Sequence, residues 1–262
     1  MNQDDNPFQP PEAEIEPVRP ESDQEGLLAE PRAVSAGRGL EWILEAWELF
    51  KVRPVIWILM LIVASVIFIG LSLIPILGFA ATVLMPVLMG GWMISCERVR
   101  TEGELQFENL FAGFNQHLGP LALTGLIYLA ATVAAAIAAI VVVGIFGGML
   151  FATQLDTGQL SLFLFTMLGF LVGMAMVVPV VMLIWFAPAL IVFHNLPPIE
   201  AMKMSFIGCL RNILPFLIYG LVGIVMVIIG AIPLLLGWLL VYPVLFCAAF
   251  TSYRDVFIEQ EA

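Results

Sequence analysis

The chain has 262 residues, 61% of them hydrophobic and only 12% charged, with a formal net charge of −11, whereas a soluble domain carries about 25% charged residues. Too few polar residues exist to surface a water-soluble body of this length, so a bilayer must cover the rest. The acidic balance also disfavours nucleic acid as a partner.

Much of that charge sits at the start. Residues 1–34 hold nine acids against Arg19 and Arg32. The opening Met1-Asn2-Gln3-Asp4-Asp5 has neither a basic nor an apolar leader, so no cleavable signal is expected and the first span must direct insertion. Prolines interleaved with acids leave little apolar surface to offset the entropy of ordering, which predicts a disordered cytoplasmic tail over 1–34. Such a tail either docks a partner or is a solvated leader, the second being the simpler reading.

A transmembrane domain is expected over 35–257. It opens on Gly39-Leu40-Glu41-Trp42-Ile43-Leu44-Glu45-Ala46-Trp47-Glu48-Leu49-Phe50, an amphipathic helical pattern before Pro54. Arg38, Glu41, Glu45 and Glu48 share one stripe. The three glutamates are candidates for docking a protein partner, and Trp42 and Trp47 for anchors at the membrane interface, where amphipathic indoles settle. Solvation of one helix face is the plainer explanation of the glutamates.

Four intervals then lack Asp, Glu, Lys, Arg and His: 54–96, 118–155, 157–193 and 212–253. A bilayer core takes about 20 helical residues. The first and last intervals, 43 and 42 residues long, therefore read as hairpins of two spans, turning at Ile74-Pro75-Ile76-Leu77-Gly78 and at Ile232-Pro233-Leu234-Leu235-Leu236-Gly237. In each, proline stops the helix and glycine is expected to permit the reversal. The middle intervals meet at a polar loop, Gln154-Leu155-Asp156-Thr157-Gly158-Gln159. Six spans follow, at about 55–74, 77–96, 121–145, 162–187, 213–232 and 234–252, with Pro179 and Pro188 kinking or extending the fourth. Residues 258–262 form a short terminal tail.

With the amino terminus inside, all ten basic residues fall on the cytoplasmic side, which predicts that both termini are cytoplasmic. Cys96, Cys209 and Cys247 then lie near the reducing face and are expected as free thiols.

Each hairpin is preceded by a charged segment ending at a proline, at 39–54, 107–120 and 198–215. Met85-Pro86-Val87-Leu88 and Tyr242-Pro243-Val244-Leu245 also correspond. The pattern predicts a threefold parallel repeat of one interfacial amphipathic helix plus two spans, with the middle copy diverged. Flanking helices and prolines common to many membrane proteins are the alternative. Ala131 and Ala135 in the third span, with Gly169 and Gly173 in the fourth, form small-residue faces expected to pack those spans on each other, in preference to a homodimer seam.

Signatures of chemistry are missing from the sequence: no phosphate loop, no Gly-x-Ser-x-Gly and no His-Glu-x-x-His. His117 and His194 read as polar interfacial residues rather than haem or metal ligands. No cofactor, metal site or catalytic residue is expected, nor an ionisable residue at midplane depth of the kind ion-coupled carriers use.

In order and spacing, Ala36-Gly37-Arg38-Gly39-Leu40-Glu41-Trp42-Ile43, the Ile74–Gly78 turn, Leu110-Phe111-Ala112-Gly113-Phe114, Asn212-Ile213-Leu214-Pro215-Phe216 and Ser252-Tyr253-Arg254-Asp255-Val256-Phe257 make the chain resemble a family of uncharacterised bacterial inner-membrane proteins. That resemblance implies a six-span, multi-pass inner-membrane protein and transfers no activity. The sequence reading is an all-α helix bundle in the lipid bilayer, a non-enzymatic scaffold or assembly factor with a membrane or cytoplasmic protein partner. A facilitator of a neutral or amphipathic small molecule is the alternative.

Overall fold

A computed structural model describes residues 26–152 and 159–259. Six helices in it are long and apolar enough to cross a membrane. In chain order the helices are α1 (Arg38–Val52), α2 (Pro54–Ser72), α3 (Pro75–Glu102), a 3-10 helix (Phe107–Phe111), α4 (Ala112–Gln116), α5 (Leu118–Ala152), α6 (Gln159–Ile184), α7 (Ala187–His194), α8 (Pro198–Arg211), α9 (Ile213–Ala231) and α10 (Trp238–Phe257). Among the described residues there is no strand, only an isolated antiparallel bridge between Leu27 and Ile258. The fold is all-α, and the six expected spans are present with their edges shifted by a few residues. The polar loop 154–159 lies mostly outside the described residues.

Local chemistry sets the helix limits. Pro54, Pro75 and Pro198 each open a helix, where the missing amide hydrogen is not needed. Gly103 closes α3 in the left-handed conformation, its amide bonded to the Val99 carbonyl. Both tight turns differ from expectation in how they use glycine. Left-handed φ values fall on Leu234 and Leu235, not on Gly237, and Gly78 sits inside α3 with open space around it. Gly237 instead permits close approach, because a Cβ there would lie 2.5 Å from Gly230 Cα.

The fourth span breaks into α6 and α7 at Trp185 and Phe186, just before Pro188. A break exposes backbone groups that must find partners. Ser205 of α8 supplies them: its hydroxyl accepts from the Phe186 amide at 2.9 Å and donates to the Met182 carbonyl at 2.8 Å.

The spans are unequally buried. In α10, 61% of the apolar window is buried, and in α3 50%; in α5 it is none. Thus α3 and α10 form the centre, while α2, α5, α6 and α9 give most of their surface to lipid. Burial concentrates toward the end of the bundle that carries the charged segments, around Trp42, Met93, Phe186, Leu190, Phe250 and Phe257. Three elements pack there: α1 on α10, the 3-10 helix on α3, and α8 on α6 and α7.

The segment 107–120, expected to hold an interfacial amphipathic helix, is instead two short pieces wedged against α3. A side chain on Gly91 would overlap the Leu110 carbonyl, and one on Gly113 the Val87 carbonyl. Contact this close leaves no room for a continuous helix with a lipid-facing side. The small-residue faces also need revision. α5 and α6 do pack together, but a Cβ on Gly173 would meet nothing within 4 Å and one on Gly169 only ordinary contacts with Val143, at 3.9 Å. The close backbone approach on α5 is at Gly125, where a Cβ would overlap the Val83 carbonyl of α3.

Gly125→Ala is therefore expected to lower thermal stability in detergent by roughly 1–3 kcal/mol, the usual cost of overpacking, while Gly173→Ala leaves it unchanged or slightly raised. Equal losses from both changes would place the tight seam between α5 and α6 instead.

Candidate functional site

The densest polar cluster lies at the charged end, around a carboxylate on α10. Asp255 is 5% exposed, and its helical spacing from Ala248 and Ser252 puts it on the inward face of that helix. Arg32 Nη2 donates to its Oδ1 at 2.9 Å, while Trp42 Nε1 at 2.8 Å and Arg38 Nε at 2.5 Å donate to Oδ2. Two guanidinium groups thus neutralise one buried carboxylate, satisfying the rule that a buried charge is paired and hydrogen-bonded. The Arg38 nitrogens not used on Asp255 reach outward to Glu41 at 2.5 Å and Glu45 at 3.0 Å.

This geometry fixes α1. Trp42 donates to Asp255, its carbonyl accepts from the Thr251 hydroxyl at 2.9 Å, and its ring packs on Phe216 with centroids 5.3 Å apart. Gly39 presses against the Pro215 carbonyl of α9. Trp42 is completely buried, which corrects its assignment as an interface anchor: a single indole cannot both reach the Asp255 carboxylate and face lipid. Trp47 points the other way, 42% exposed and stacked on Phe50.

The same cluster binds the segment before α1. Residues 26–34 run against the end of α10: the Leu28 amide donates to the Phe257 carbonyl, the Arg32 amide to the Val256 carbonyl and the Glu259 amide to the Gly26 carbonyl. Asn212, at the α8–α9 junction, accepts from the Val34 amide and donates to the Arg32 carbonyl, each at 2.9 Å. Arg211 donates to the Pro31 carbonyl and pairs with Glu30. The tail boundary expected at residue 34 therefore moves. Residues 26–34 belong to the folded body because their backbone groups and Arg32 find partners there, and 1–25 lie outside the described residues.

Glu41, Glu45 and Glu48 keep their outward stripe, though each also has an ion-pair partner within α1, Arg38 for the first two and Lys51 for the third. Burial raises the Glu45 pKa above the usual carboxylate value, and the nearby Asp255 and Glu41 add to that, against the pull of Arg38. Burial opposes the charge on Arg38, yet its carboxylate partners, Asp255 first, hold its pKa above the ordinary value. The guanidinium is shared three ways: Asp255 takes the buried edge, and Glu41 and Glu45 the two outward nitrogens.

Other polar contacts at this end are His194 Nε2 with the Tyr253 hydroxyl at 2.6 Å and Arg98 with Asn109 Oδ1 at 3.1 Å. Cys96 and Cys247 face each other as free thiols, the Cys96 thiol donating to the Cys247 sulfur at 3.5 Å. Among the described residues no three His, Cys, Asp or Glu side chains gather as a metal site would require. Three buried donors lack partners there: Trp92 Nε1, Asn109 Nδ2 and Trp185 Nε1.

Chemically, Asp255 is committed to holding other parts of the chain. Its oxygens accept from Arg32, Arg38 and Trp42, and the group is 5% exposed, which makes the cluster a clamp. What it holds in place is the outer face of α1, with Glu41, Glu45 and Glu48 along one edge and the exposed Leu40, Leu44 and Trp47 along the next. Sequence reasoning found that face but missed the clamp, for which the one available signal was a lone acid following a long uncharged span.

Comparison with known proteins finds a distant relative, a Burkholderia thailandensis protein described as a probable inner membrane protein. It is 25% identical, over 87% of this chain and 94% of its own length. Neither a family model nor a solved structure matches.

Deleting residues 2–25 is expected to leave thermal stability in detergent unchanged, whereas deleting 2–34 removes Arg32 from a buried acid and lowers stability by roughly 2–4 kcal/mol, below the full value for a buried pair because the guanidinium is partly solvated. Equal stability of the two truncations would show that residues 26–34 contribute nothing.

Proposed function

We propose that the chain is a multi-pass protein of a bacterial inner membrane, with both termini cytoplasmic, that works without chemistry of its own as a scaffold or assembly factor. The observation that carries this reading is the clamped α1: a helix fixed on a buried ion cluster, turning an acidic edge and an apolar edge outward. A rigid face of this kind suits a protein partner, since a preformed surface loses little entropy on binding. Support for the location comes from the description of the distant relative and from the basic residues at one end of the bundle. In this reading Trp47, Leu40 and Leu44 rest at the headgroup level, and the glutamates stand off the membrane toward the cytoplasm.

A facilitator of small molecules is the second reading. The cavities found have almost entirely apolar walls, which suits an amphipathic cargo and not a polar one.

The scaffold reading is tested with one strain series. Changing Glu41, Glu45 and Glu48 together to Gln is expected to abolish co-purification of the native partner in mild detergent, with expression and thermal stability kept. Undiminished partners would sink the docking role. In the same cells, on a cysteine-free background, Asp156→Cys should react with an impermeant thiol reagent from outside and Lys203→Cys only after permeabilisation. The reverse pattern would invert the topology.

A further inference from the structure

Of the three seams between successive hairpins, two are closed. The α2–α3 hairpin meets the α5–α6 hairpin through α3 and α5, where Gly125 lies on the Val83 backbone. The α9–α10 hairpin meets the first through α10 and α2. At the third seam α6 and α9 are not packed along each other. A cavity of about 410 Å³ separates them, bounded by Met174, Val178, Met182 and Trp185 on one side and Phe216 and Tyr219 on the other. On α9, the glycine five residues after Pro215 is Gly220, the counterpart of Gly125 after Pro120; a Cβ there would meet nothing within 4 Å.

The cavity has three properties that choose an occupant. Its volume falls within the roughly 300–1,000 Å³ of small-molecule sites, and no lining residue carries a formal charge, so ions and charged headgroups have no counter-charge inside. Its rim is open sideways, since Met174, Val177, Val178, Ile213 and Leu217 are all exposed on the lipid-facing flank. From Met174 to Trp185 the wall runs along the α6 axis for about 16 Å, at 1.5 Å per residue, the direction in which lipid chains lie.

The third property is one unused polar group. Tyr219 donates its hydroxyl to the Leu245 carbonyl at 3.0 Å. Trp185 lies edge-on to Phe216 and Tyr219, centroids 5.5 and 5.7 Å apart, and its buried Nε1 finds no acceptor among the described residues. Buried indole nitrogens ordinarily have one, and an unmet donor calls for an explanation. Trp185 stands at the end of the cavity where α6 gives way to α7. Trp92 also lacks an acceptor, but its cavity is smaller, about 270 Å³.

We propose that the α6–α9 seam is a lipid site, holding one acyl chain of a glycerophospholipid along α6 with its ester carbonyl accepting from Trp185 Nε1. This goes beyond the scaffold reading and stands or falls separately from it.

The test uses the full chain in vesicles of phosphatidylethanolamine and phosphatidylglycerol, the latter carrying a diazirine midway along one acyl chain. Crosslinks located by mass spectrometry are expected to concentrate on 174–182 and 213–220. Native mass spectrometry after detergent washing should show one retained phospholipid per chain. Trp185→Phe, which keeps the ring and removes the donor, should lower the retained fraction by roughly three- to tenfold, the worth of a neutral hydrogen bond, with thermal stability measured alongside. Val181→Phe should reduce retention further by filling the cavity; if that variant does not fold, Trp185→Phe decides alone. Crosslinks spread evenly over exposed α5, α6 and α9, retention indifferent to Trp185→Phe, or a retained isoprenoid quinone in place of phospholipid from native membranes would each overturn the proposal.

Discussion

A carboxylate removed from water must be matched by cations or it will not stay ionised, and at the charged end of this bundle the match comes from outside its own helix. Asp255 belongs to the last span, Arg38 and Trp42 to the first helix, and Arg32 to the segment before it. Breaking such an arrangement from one side leaves uncompensated charge, and that penalty is larger than the net gain of forming it. The clamp therefore acts less as a source of stability than as a constraint on arrangement. It closes the described chain on itself, bringing Arg32, Arg38 and Trp42 together with Asp255, more than 200 residues later.

From that closure the rest of the architecture follows. With α1 held against α9 and α10, packed helices cover the charged end, and the buried core collects there. Toward the other end the helices give most of their surface to lipid, where no hydrophobic driving force pulls them together and only close backbone contacts do. Gly125 provides one such contact. Between α6 and α9 there is none, and the seam stays open.

The spans were legible in the sequence because length, charge-free runs and prolines report directly on what a bilayer tolerates. Helix α1 was legible as amphipathic, but hydrophobicity does not say whether an apolar face meets lipid or protein. Trp42 and Trp47 look alike in sequence and have opposite surroundings in the fold. The same ambiguity hid the tight glycines: Gly169 and Gly173 have the expected spacing, yet it is Gly125 on α5 that faces a neighbouring backbone. Asp255 was hidden because a paired buried acid and a solvated one are the same letter. Residues 26–34 carry one acid, Glu30, balanced by Arg32, among mostly apolar residues, and this shift away from the acidic composition of 1–25 was the signal that a single tail over 1–34 passed over.

The central claim is that Asp255 holds α1 and residues 26–34 as one unit. Hydrogen–deuterium exchange on the full chain in lipid nanodiscs, comparing wild type with Asp255→Asn, tests it most directly. The account expects amides of α1 and of residues 26–34 to lose protection together in the variant, while those of α2, α3 and α5 are unchanged. Retained protection of α1, or a uniform loss across the spans, would contradict it.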